Sequence, residues 1–331
     1  MIDKLKLDKL IKSYGFLDYD HISFQDIPQN DYLKSWMQDE KYGEMQWMSN
    51  TFDKRLDIKN AYQEYKSVIL VLLPYYSKES LEASKKNHIS LYSQGRDYHK
   101  VLWKSLKKLY FSLKEEYSDL EGKWYCDTGP ISEKFISSYS NLGWIGKSTN
   151  FINKKHGSYF FLGSLMINYD GPKYQLPTDH CGTCTRCIDA CPTNAITEAY
   201  KMDPRLCISY QSIEKKSLQE LNLVNGSHWI YGCDDCQTCC PFNRFSKEAS
   251  LKDFLPRKNY NDEAFLSLTE DTFLKFFEGS PIRRIGFEKF LENVILSIFH
   301  RKKQDLYPQI KSLKDTLNLD RINDLIDFLA I

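Results

Sequence analysis

The stretch from Cys181 to Pro192 reads CGTCTRCIDACP, and it decides what kind of module the chain contains. Its four cysteines follow the spacing C-x2-C-x2-C-x3-C and end on a proline. At this spacing three thiolates bind one cubane iron–sulfur cluster, and the fourth is directed at a second cluster. A structural zinc site normally shows two separated ligand pairs instead. The stretch therefore predicts a module for two [4Fe-4S] clusters.

A second group of cysteines lies downstream, where Cys233 and Cys236 form a C-x2-C pair and Cys240 again precedes a proline. By the same exchange of ligands, Cys240 returns to the first cluster. The first cluster is then bound by Cys181, Cys184, Cys187 and Cys240. The second cluster has three ligands, Cys191, Cys233 and Cys236. Its fourth ligand is Cys207 or Cys239, and spacing alone does not decide between them.

The composition of the chain indicates a folded protein of two or three units. It has 331 residues, of which 42% are hydrophobic and 14% aromatic, and a formal net charge of +1. A charge this small gives no general attraction to nucleic acid, so any such site needs a local basic patch. The N-terminus lacks the apolar core of a signal peptide. We expect a cytoplasmic protein, in which cysteines stay reduced.

The pattern along the chain predicts an α+β fold. Residues 67–76 form the longest apolar run, which is too short to span a bilayer and predicts a buried strand. Residues 96–118 have the apolar periodicity of an amphipathic helix, and residues 158–169 are typical of a strand. Residues 174–242 are cysteine-rich, and the sequence after Pro256 is charged and helical. The sequence has no nucleotide-phosphate motif, so the residues ahead of the cysteines serve another cofactor or substrate.

Further motifs then follow one another in a fixed order. They are GRDYHK from Gly95, DTGP from Asp127, GWIGK from Gly143, FFLG from Phe160, CISY from Cys207, YGCDDC from Tyr231, CPFNR from Cys240 and SPIRRIG from Ser280. Together they resemble the epoxyqueuosine reductase family, cobalamin-dependent enzymes of the last step of queuosine synthesis on tRNA. The resemblance runs from about residue 40 to about residue 300. The DTGP motif departs from the family's usual Asp-Ser-Ala-Pro without changing the acid.

The resemblance implies a reaction, cofactors and partners. The chain would reduce epoxyqueuosine at the tRNA wobble position to queuosine, taking up two electrons and two protons and releasing one water. Low-valent cobalamin would act on the epoxide, fed by two [4Fe-4S] clusters. The implied partners are the anticodon loop of the tRNA and an external electron donor such as flavodoxin or ferredoxin. We expect a monomer with no membrane association.

The resemblance also implies a division into domains. Residues 1–172 would form a cobalamin-binding catalytic domain related to nitroreductases, with a sheet and flanking helices. Residues 173–246 would form the ferredoxin-like module, and residues 247–331 a helical C-terminal region. In the family the cysteine of the CISY motif is a cluster ligand, which selects Cys207 and leaves Cys239 as a packed thiol.

Asp127 is the predicted general acid, because it matches the acid of the family's motif. It can donate a proton near neutral pH only if its surroundings raise its pKa. The alternative is that Asp127 merely caps the turn before Pro130. The predicted cofactor contacts are Arg55, Ser90, Asp127, Lys147, Ser209 and Asp234. His99 is left out of this set, since a single histidine on a helix is more often structural.

Three other functions compete with this interpretation. A reductive dehalogenase has a similar set of cofactors but usually a twin-arginine signal, which this sequence lacks. A simple ferredoxin-like electron carrier leaves the large N-terminal part without a role. A zinc module that binds RNA is disfavoured by the spacing of the cysteines.

Overall fold

The fold is a mixture of helices and two small antiparallel sheets, as the sequence predicted. The computed structural model describes residues 2–216, 227–257, 261–317 and 319–331. The strands are β1 Asp18–Ser23, β2 Ser67–Pro74, β3 Gly122–Tyr125, β4 Trp144–Ile145, β5 Phe151–Ile152 and β6 Phe160–Ile167. The main sheet has the order β1–β2–β6–β3, and β4 pairs with β5.

Helices surround the main sheet and make up the C-terminal part. They are α1 Lys4–Ser13, α2 Asp31–Gln38, α3 Gln46–Asn50, α4 Phe52–Leu56, α5 Ile58–Ala61, α6 Lys78–Asn87, α7 Tyr98–Lys114, α8 Glu133–Ser137, α9 Arg186–Asp189, α10 Ile208–Ile213, α11 Asp235–Thr238, α12 Asp262–Leu266, α13 Glu270–Phe276, α14 Phe287–His300, α15 Tyr307–Thr316 and α16 Asp320–Phe328. Short 3-10 helices lie at Leu91–Ser93, Pro204–Leu206, Pro241–Phe245, Lys252–Phe254, Pro281–Ile285 and Gln304–Leu306. In the described part of the chain no helix has the length and apolar character needed to cross a membrane.

Strand β2 is buried along its whole length, which confirms the strand predicted at residues 67–76. Side chains of a strand alternate between its two faces, so an apolar strand can serve two cores. Ile69, Val71 and Leu73 pack into the core on the face covered by α1 and α7. Their neighbours Leu70 and Leu72 pack into the core on the opposite face. The sheet is thus covered on both faces.

Helix α7 confirms the helix predicted at residues 96–118. Asp97 caps its N-terminus by accepting a hydrogen bond from the backbone N–H of His99 over 3.1 Å. Leu102, Leu106 and Leu109 are fully buried against the sheet. The capping motif places the first residues of α7 at the end of the sheet where β2 stops, and the helix then runs along the sheet face.

The cysteine-rich module contains little regular structure, because its chain turns tightly around the cysteines. The turn after Cys181 is closed by a hydrogen bond from the backbone N–H of Cys184 to the carbonyl of Cys181, 3.1 Å long. Gly182, inside this turn, has a φ of 51°, a backbone region that favours glycine. Helices α9 and α11 are each a single turn.

The C-terminal helices α12 to α16 enclose a third core centred on α14. Ile89, Ile230 and Tyr231 belong to the same core, so the C-terminal helices also pack against earlier parts of the chain. Conversely, Phe254, which follows the cysteine-rich module in the chain, is buried in the core beneath α7. The domain bounds at residues 172 and 246 stay a prediction.

Candidate active site

A cavity of about 1050 Å³ opens where β2 ends and β6 begins. Its volume is at the upper end of the ~300–1,000 Å³ that ordinary small-molecule sites occupy, so it has room for a large ligand. Aromatic residues form much of its wall, namely Tyr32, Trp36, Trp47, Tyr75, Tyr92, Tyr98, Phe135, Tyr139, Phe151, Phe160, Phe161 and Tyr200. Charged groups are few in comparison, and Asp127, Glu133, Lys134 and Arg55 are among them.

Asp127 lies on the loop between β3 and α8 and projects into the cavity. Its side chain is 61% exposed to this enclosed space. The Tyr98 hydroxyl donates a hydrogen bond to its Oδ2 atom, and Nε2 of His99 lies 3.6 Å from the same oxygen. The backbone N–H of Asp127 donates to Oε1 of Glu133 over 2.9 Å. Its φ of 57° lies in the left-handed region, which an aspartate adopts more readily than most residues.

The acids of the cavity differ in how readily they ionise. Enclosure would raise the pKa of Asp127, but the contacts with His99 and Tyr98 outweigh it, so the pKa falls below its ordinary value. Asp127 by itself therefore does not meet the condition that its surroundings raise its pKa. Burial and the Asp127 charge instead raise the pKa of Glu133 to about 8. Glu133 is 8% exposed, and the next residue, Lys134, also lines the cavity.

Arg55 fixes the loop that follows Asp127. Its Nη1 and Nη2 atoms donate to the carbonyls of Ile131 and Gly129, each over 2.8 Å. Its Nε atom donates to Oγ1 of Thr51 over 2.8 Å, and its guanidinium lies 5.1 Å from the ring centre of Trp47. Each guanidinium nitrogen therefore has a protein partner. Arg55 lines the cavity, but these contacts use it as an anchor of the loop.

The other predicted cofactor contacts lie outside the cavity wall. Ser90 and Asp234 are brought together, because the Ser90 hydroxyl donates to Oδ1 of Asp234 over 2.6 Å. Burial raises the pKa of Asp234 to about 6. Nζ of Lys147 donates to the carbonyls of Gly182, at 2.6 Å, and Cys184, at 3.1 Å, so it holds the cysteine turn. Ser209 follows Cys207 in α10. Their role as cofactor contacts stays a prediction.

The thiols of the cysteine module fall into two neighbourhoods. Burial raises the pKa of Cys187, and the charges of Cys181, Cys240 and Cys184 raise it further. In the second neighbourhood, burial raises the pKa values of the thiols first, and the charges of nearby thiols add to it. The charge of Cys191 raises the pKa of Cys207, and that of Cys207 raises the pKa of Cys236. The charges of Cys236 and Cys207 both raise the pKa of Cys233.

Cys239 lies between these two neighbourhoods. Burial is the main cause that raises the pKa of Cys239 to about 11. The largest contributions from charges come from Cys187 and Cys240 of the first neighbourhood. Its Sγ atom donates a hydrogen bond to the carbonyl of Cys236 over 3.5 Å. Among the described residues, no three His, Cys, Asp or Glu side chains lie close enough together to bind one metal ion. A cubane needs its thiolates further apart, one at each corner iron.

The chain matches known proteins over nearly its whole length. Residues 180–243 match the family "4Fe-4S double cluster binding domain", and residues 55–128 match "Epoxyqueuosine reductase QueG, DUF1730". The epoxyqueuosine reductase of Leadbetterella byssophila is 39% identical over 86% of this chain and 96% of its own. That of Cyclobacterium marinum is 38% identical over 79% of this chain and 86% of its own. The chain belongs to the epoxyqueuosine reductase family.

A solved structure of the same family has the same fold. It is the crystal structure of an epoxyqueuosine reductase with an epoxyqueuosine-modified tRNA-Tyr stem loop. It superposes with a TM-score of 0.84 at 24% identity, and the match covers 97% of this chain and 88% of that one. The resemblance that the motifs carried is confirmed, and so is a fold in which a mixed α and β part precedes a double-cluster module.

Reasoning from the sequence missed part of the site. Tyr98 belonged to a recognised motif but had no role, Glu133 lies just after the DTGP motif and was not singled out, and His99 was set aside as structural. A usable signal was present, since Tyr98 and His99 lie in GRDYHK, beside the cap of a helix. The sequence could not show that this helix end meets the DTGP loop, because nearly thirty residues separate the two motifs.

Proposed function

We propose that this protein is a cobalamin-dependent epoxyqueuosine reductase, which reduces epoxyqueuosine at the tRNA wobble position to queuosine. One observation carries the proposal: Cys236, in the second neighbourhood of thiols, lies beside the cavity that contains Asp127. Asn150 lines the cavity and donates from Nδ2 to Sγ of Cys236 over 3.4 Å. Gln237, the next residue after Cys236, also lines it. Electrons that reach a cluster at Cys236 thus have a short path to a group bound in the cavity.

The proposed ligands follow the two neighbourhoods of thiols. One cluster is bound by Cys181, Cys184, Cys187 and Cys240, and the other by Cys191, Cys207, Cys233 and Cys236. The electrostatic neighbours support Cys207 over Cys239, because both thiols act on Cys236 but Cys207 also acts on Cys233, whereas the thiols that act most on Cys239 are Cys187 and Cys240. The Cys207→Ser variant should lose about four of about eight irons after anaerobic reconstitution, and Cys239→Ser should lose none. The reverse result would exchange the two assignments.

The cavity fits a corrin in its size and its largely aromatic wall. Arg55 and Asp127 border this space, and Ser90, which donates to Asp234, is two residues from Tyr92, which also lines it. Low-valent cobalamin, when bound, supplies the reducing chemistry that opens the epoxide. Lys147 and Ser209 lie beside cluster cysteines, where they support the cluster module and, through it, the cofactor. Asp127, Ser90 and Asp234 would hold the cofactor against the end of the cluster path, and Arg55 would shape its site by anchoring the loop after Asp127.

The protein must add a proton for the oxygen that leaves the ring. Asp127 is placed for this task, since its carboxyl faces the cavity while its loop is anchored by Arg55 and Glu133. Tyr98 donates to the carboxyl and keeps it in one orientation.

The substrate reaches this cavity as an unpaired base of an anticodon loop, which can be splayed out and stacked on an aromatic side chain. Trp47 is suited to such stacking, because it lines the cavity and is 44% exposed. An external one-electron carrier such as flavodoxin or ferredoxin supplies electrons. The protein acts as a monomer in the cytoplasm.

Two measurements test the proposal. Anaerobically reconstituted protein should contain about eight irons, matching sulfide and one corrin per chain. Incubation with epoxyqueuosine tRNA, cobalamin and a strong reductant should give queuosine on nucleoside analysis. Zinc without sulfide, or a tRNA that stays unchanged, would exclude this function.

The Asp127→Asn variant tests the acid. Loss of a positioned proton donor should slow turnover by about 10²-fold or more. Asp119→Asn is the matched control, because Asp119 lies on the surface ahead of β3 and contacts Tyr169 rather than the cavity. If Asp127→Asn is as fast as this control, Asp127 only caps its turn.

A further inference from the structure

The proposed reaction needs more protons than Asp127 can hold, and the inference below rests on that proposed function. Removing the epoxide oxygen as water takes two protons and two electrons. A carboxyl carries one proton, so Asp127 must receive another during each turnover. The contacts described above also favour its ionised form. A group close to Asp127 must therefore store the proton.

His99 is held between two carboxylates. Its Nδ1 atom lies 2.8 Å from Oδ1 of Asp97, and its Nε2 atom lies 3.6 Å from Oδ2 of Asp127. An imidazole whose two nitrogens both face acceptors is satisfied only when both carry a proton. The ring of Tyr98 stacks on the His99 ring with centroids 3.9 Å apart, which restricts its rotation.

Asp97 is itself rigidly placed. It caps α7, and its backbone N–H donates to the carbonyl of Gly279 over 2.7 Å. Helix α7 in turn is anchored by its buried leucines. Asp97 and His99 are therefore held in place by the N-terminus of helix α7, which positions His99 next to Asp127.

The negative charges of Asp97 and Asp127 favour the protonated form of His99. Burial alone would lower the pKa of His99, but its contacts with Asp127 and Asp97 raise it to about 9. Burial would raise the pKa of Asp97, and its hydrogen bond with His99 lowers it. Other titratable or charged groups that interact with these acids are Tyr98, Arg55, Glu133, Lys134, Lys100, Cys126 and Tyr231.

We propose that His99 is the proton store that recharges Asp127 during turnover, with Asp97 as the positioning residue that orients it. The Nε2–H bond of His99 breaks as an O–H bond forms on Asp127. That O–H bond then breaks as the departing oxygen gains its hydrogen. Electrons come from the external donor through the clusters, and His99 regains its proton from water. His99 acts through Asp127 and does not itself contact the substrate.

Titration of the histidines in the holoprotein is the first test and needs no turnover. NMR of protein with labelled histidine and oxidised clusters should show a resonance, absent in His99→Gln, that titrates near pH 9. Asp97→Asn should move this midpoint down by a unit or more, while asparagine still caps α7. A midpoint at the ordinary 6.5 of histidine, or one that Asp97→Asn leaves in place, would overturn the proposal.

The pH dependence of turnover on a modified tRNA stem loop is the second test. Wild-type kcat should fall as pH rises through about 9, since His99 then loses its proton, and Asp97→Asn should shift this limb to lower pH. His99→Gln should lower kcat by about 10²-fold with KM within twofold, and its rate should rise at low pH where water can protonate Asp127.

His300→Gln is the matched control, because His300 lies at the end of α14, outside the cavity wall. It should keep the wild-type pH profile. A His99→Gln variant with the wild-type profile would make the ion pair purely structural. If wild-type protein converts no modified tRNA, the proposed reaction fails, whereas the histidine titration still reports whether His99 holds the proton.

Discussion

The backbone N–H of Asp127 donates a hydrogen bond to Oε1 of Glu133 over 2.9 Å, so these two acids of the cavity interact through a hydrogen bond as well as through charge. This contact explains why they behave differently. Contacts with Tyr98 and His99 lower the pKa of Asp127, whereas burial and the Asp127 charge raise the pKa of Glu133 to about 8. Two acids with separated pKa values are typical of sites that handle protons.

Glu133→Gln should change how stability depends on pH. Folded Glu133 binds a proton that the unfolded chain releases above its ordinary pKa of 4.5. The free energy of unfolding of the wild type should therefore fall as pH rises from about 4.5 to about 8. The fall amounts to about 5 kcal/mol at most, and glutamine, which is always neutral, should abolish it.

The check is the apparent Tm of the holoprotein between pH 5 and 9, compared among variants. Glu263→Gln, on the exposed side of α12, is the control and should follow the wild type. Identical curves for wild type and Glu133→Gln would mean that Glu133 is ionised throughout this range.

The Arg55→Lys variant should show whether Arg55 anchors the loop after Asp127 or contacts the corrin directly. A lysine cannot donate to Gly129, Ile131 and Thr51 at once, because it lacks the planar fork of arginine. We expect turnover to drop by about tenfold or more while the corrin content after reconstitution stays unchanged. Corrin content is measured by absorbance, with Arg96→Lys as an exposed control. A variant that loses corrin in proportion to activity would show that Arg55 binds the cofactor.

Trp47→Ala should weaken binding of the modified stem loop. Stacking of a base on an aromatic ring contributes about 1–3 kcal/mol, so Kd should rise by roughly 5- to 150-fold. Trp47→Phe should retain most of the affinity. Trp103→Ala is a close control, since Trp103 is 46% exposed but lies on α7 outside the cavity wall. Equal losses in the two alanine variants would argue against a specific platform at Trp47.

Asn150→Ala should change the potential of one cluster only. Hydrogen bonds to cluster sulfurs favour the reduced form, so loss of the bond to Cys236 should make that potential more negative. Trp144→Phe offers the matching change, because Nε1 of Trp144 donates to Sγ of Cys181 over 3.4 Å in the other neighbourhood. A redox titration followed by EPR should show each variant moving a different step. A shift of the same step in both would place the two sulfurs on one cluster.

Much of the scaffold was predictable from local patterns. The buried strand β2 and the helix α7 followed from apolar periodicity, because alternation and a 3.6-residue repeat each reflect how a backbone presents side chains. The cluster cysteines followed from spacing, since short loops hold neighbouring thiolates around one cluster. The choice of Cys207 needed the family resemblance, and the thiol neighbourhoods around Cys236 are consistent with it.

The sequence by itself determined which residue types this protein has available: two sets of thiols, an acid in the DTGP motif and a capped helix at GRDYHK. Only the tertiary structure decided that the start of α7 meets the loop after β3, which places His99 and Tyr98 on Asp127. A pKa depends on charges and burial within a few ångströms, and such distances arise from packing of remote segments. The raised pKa values of His99 and Glu133 could therefore be inferred only from the folded chain.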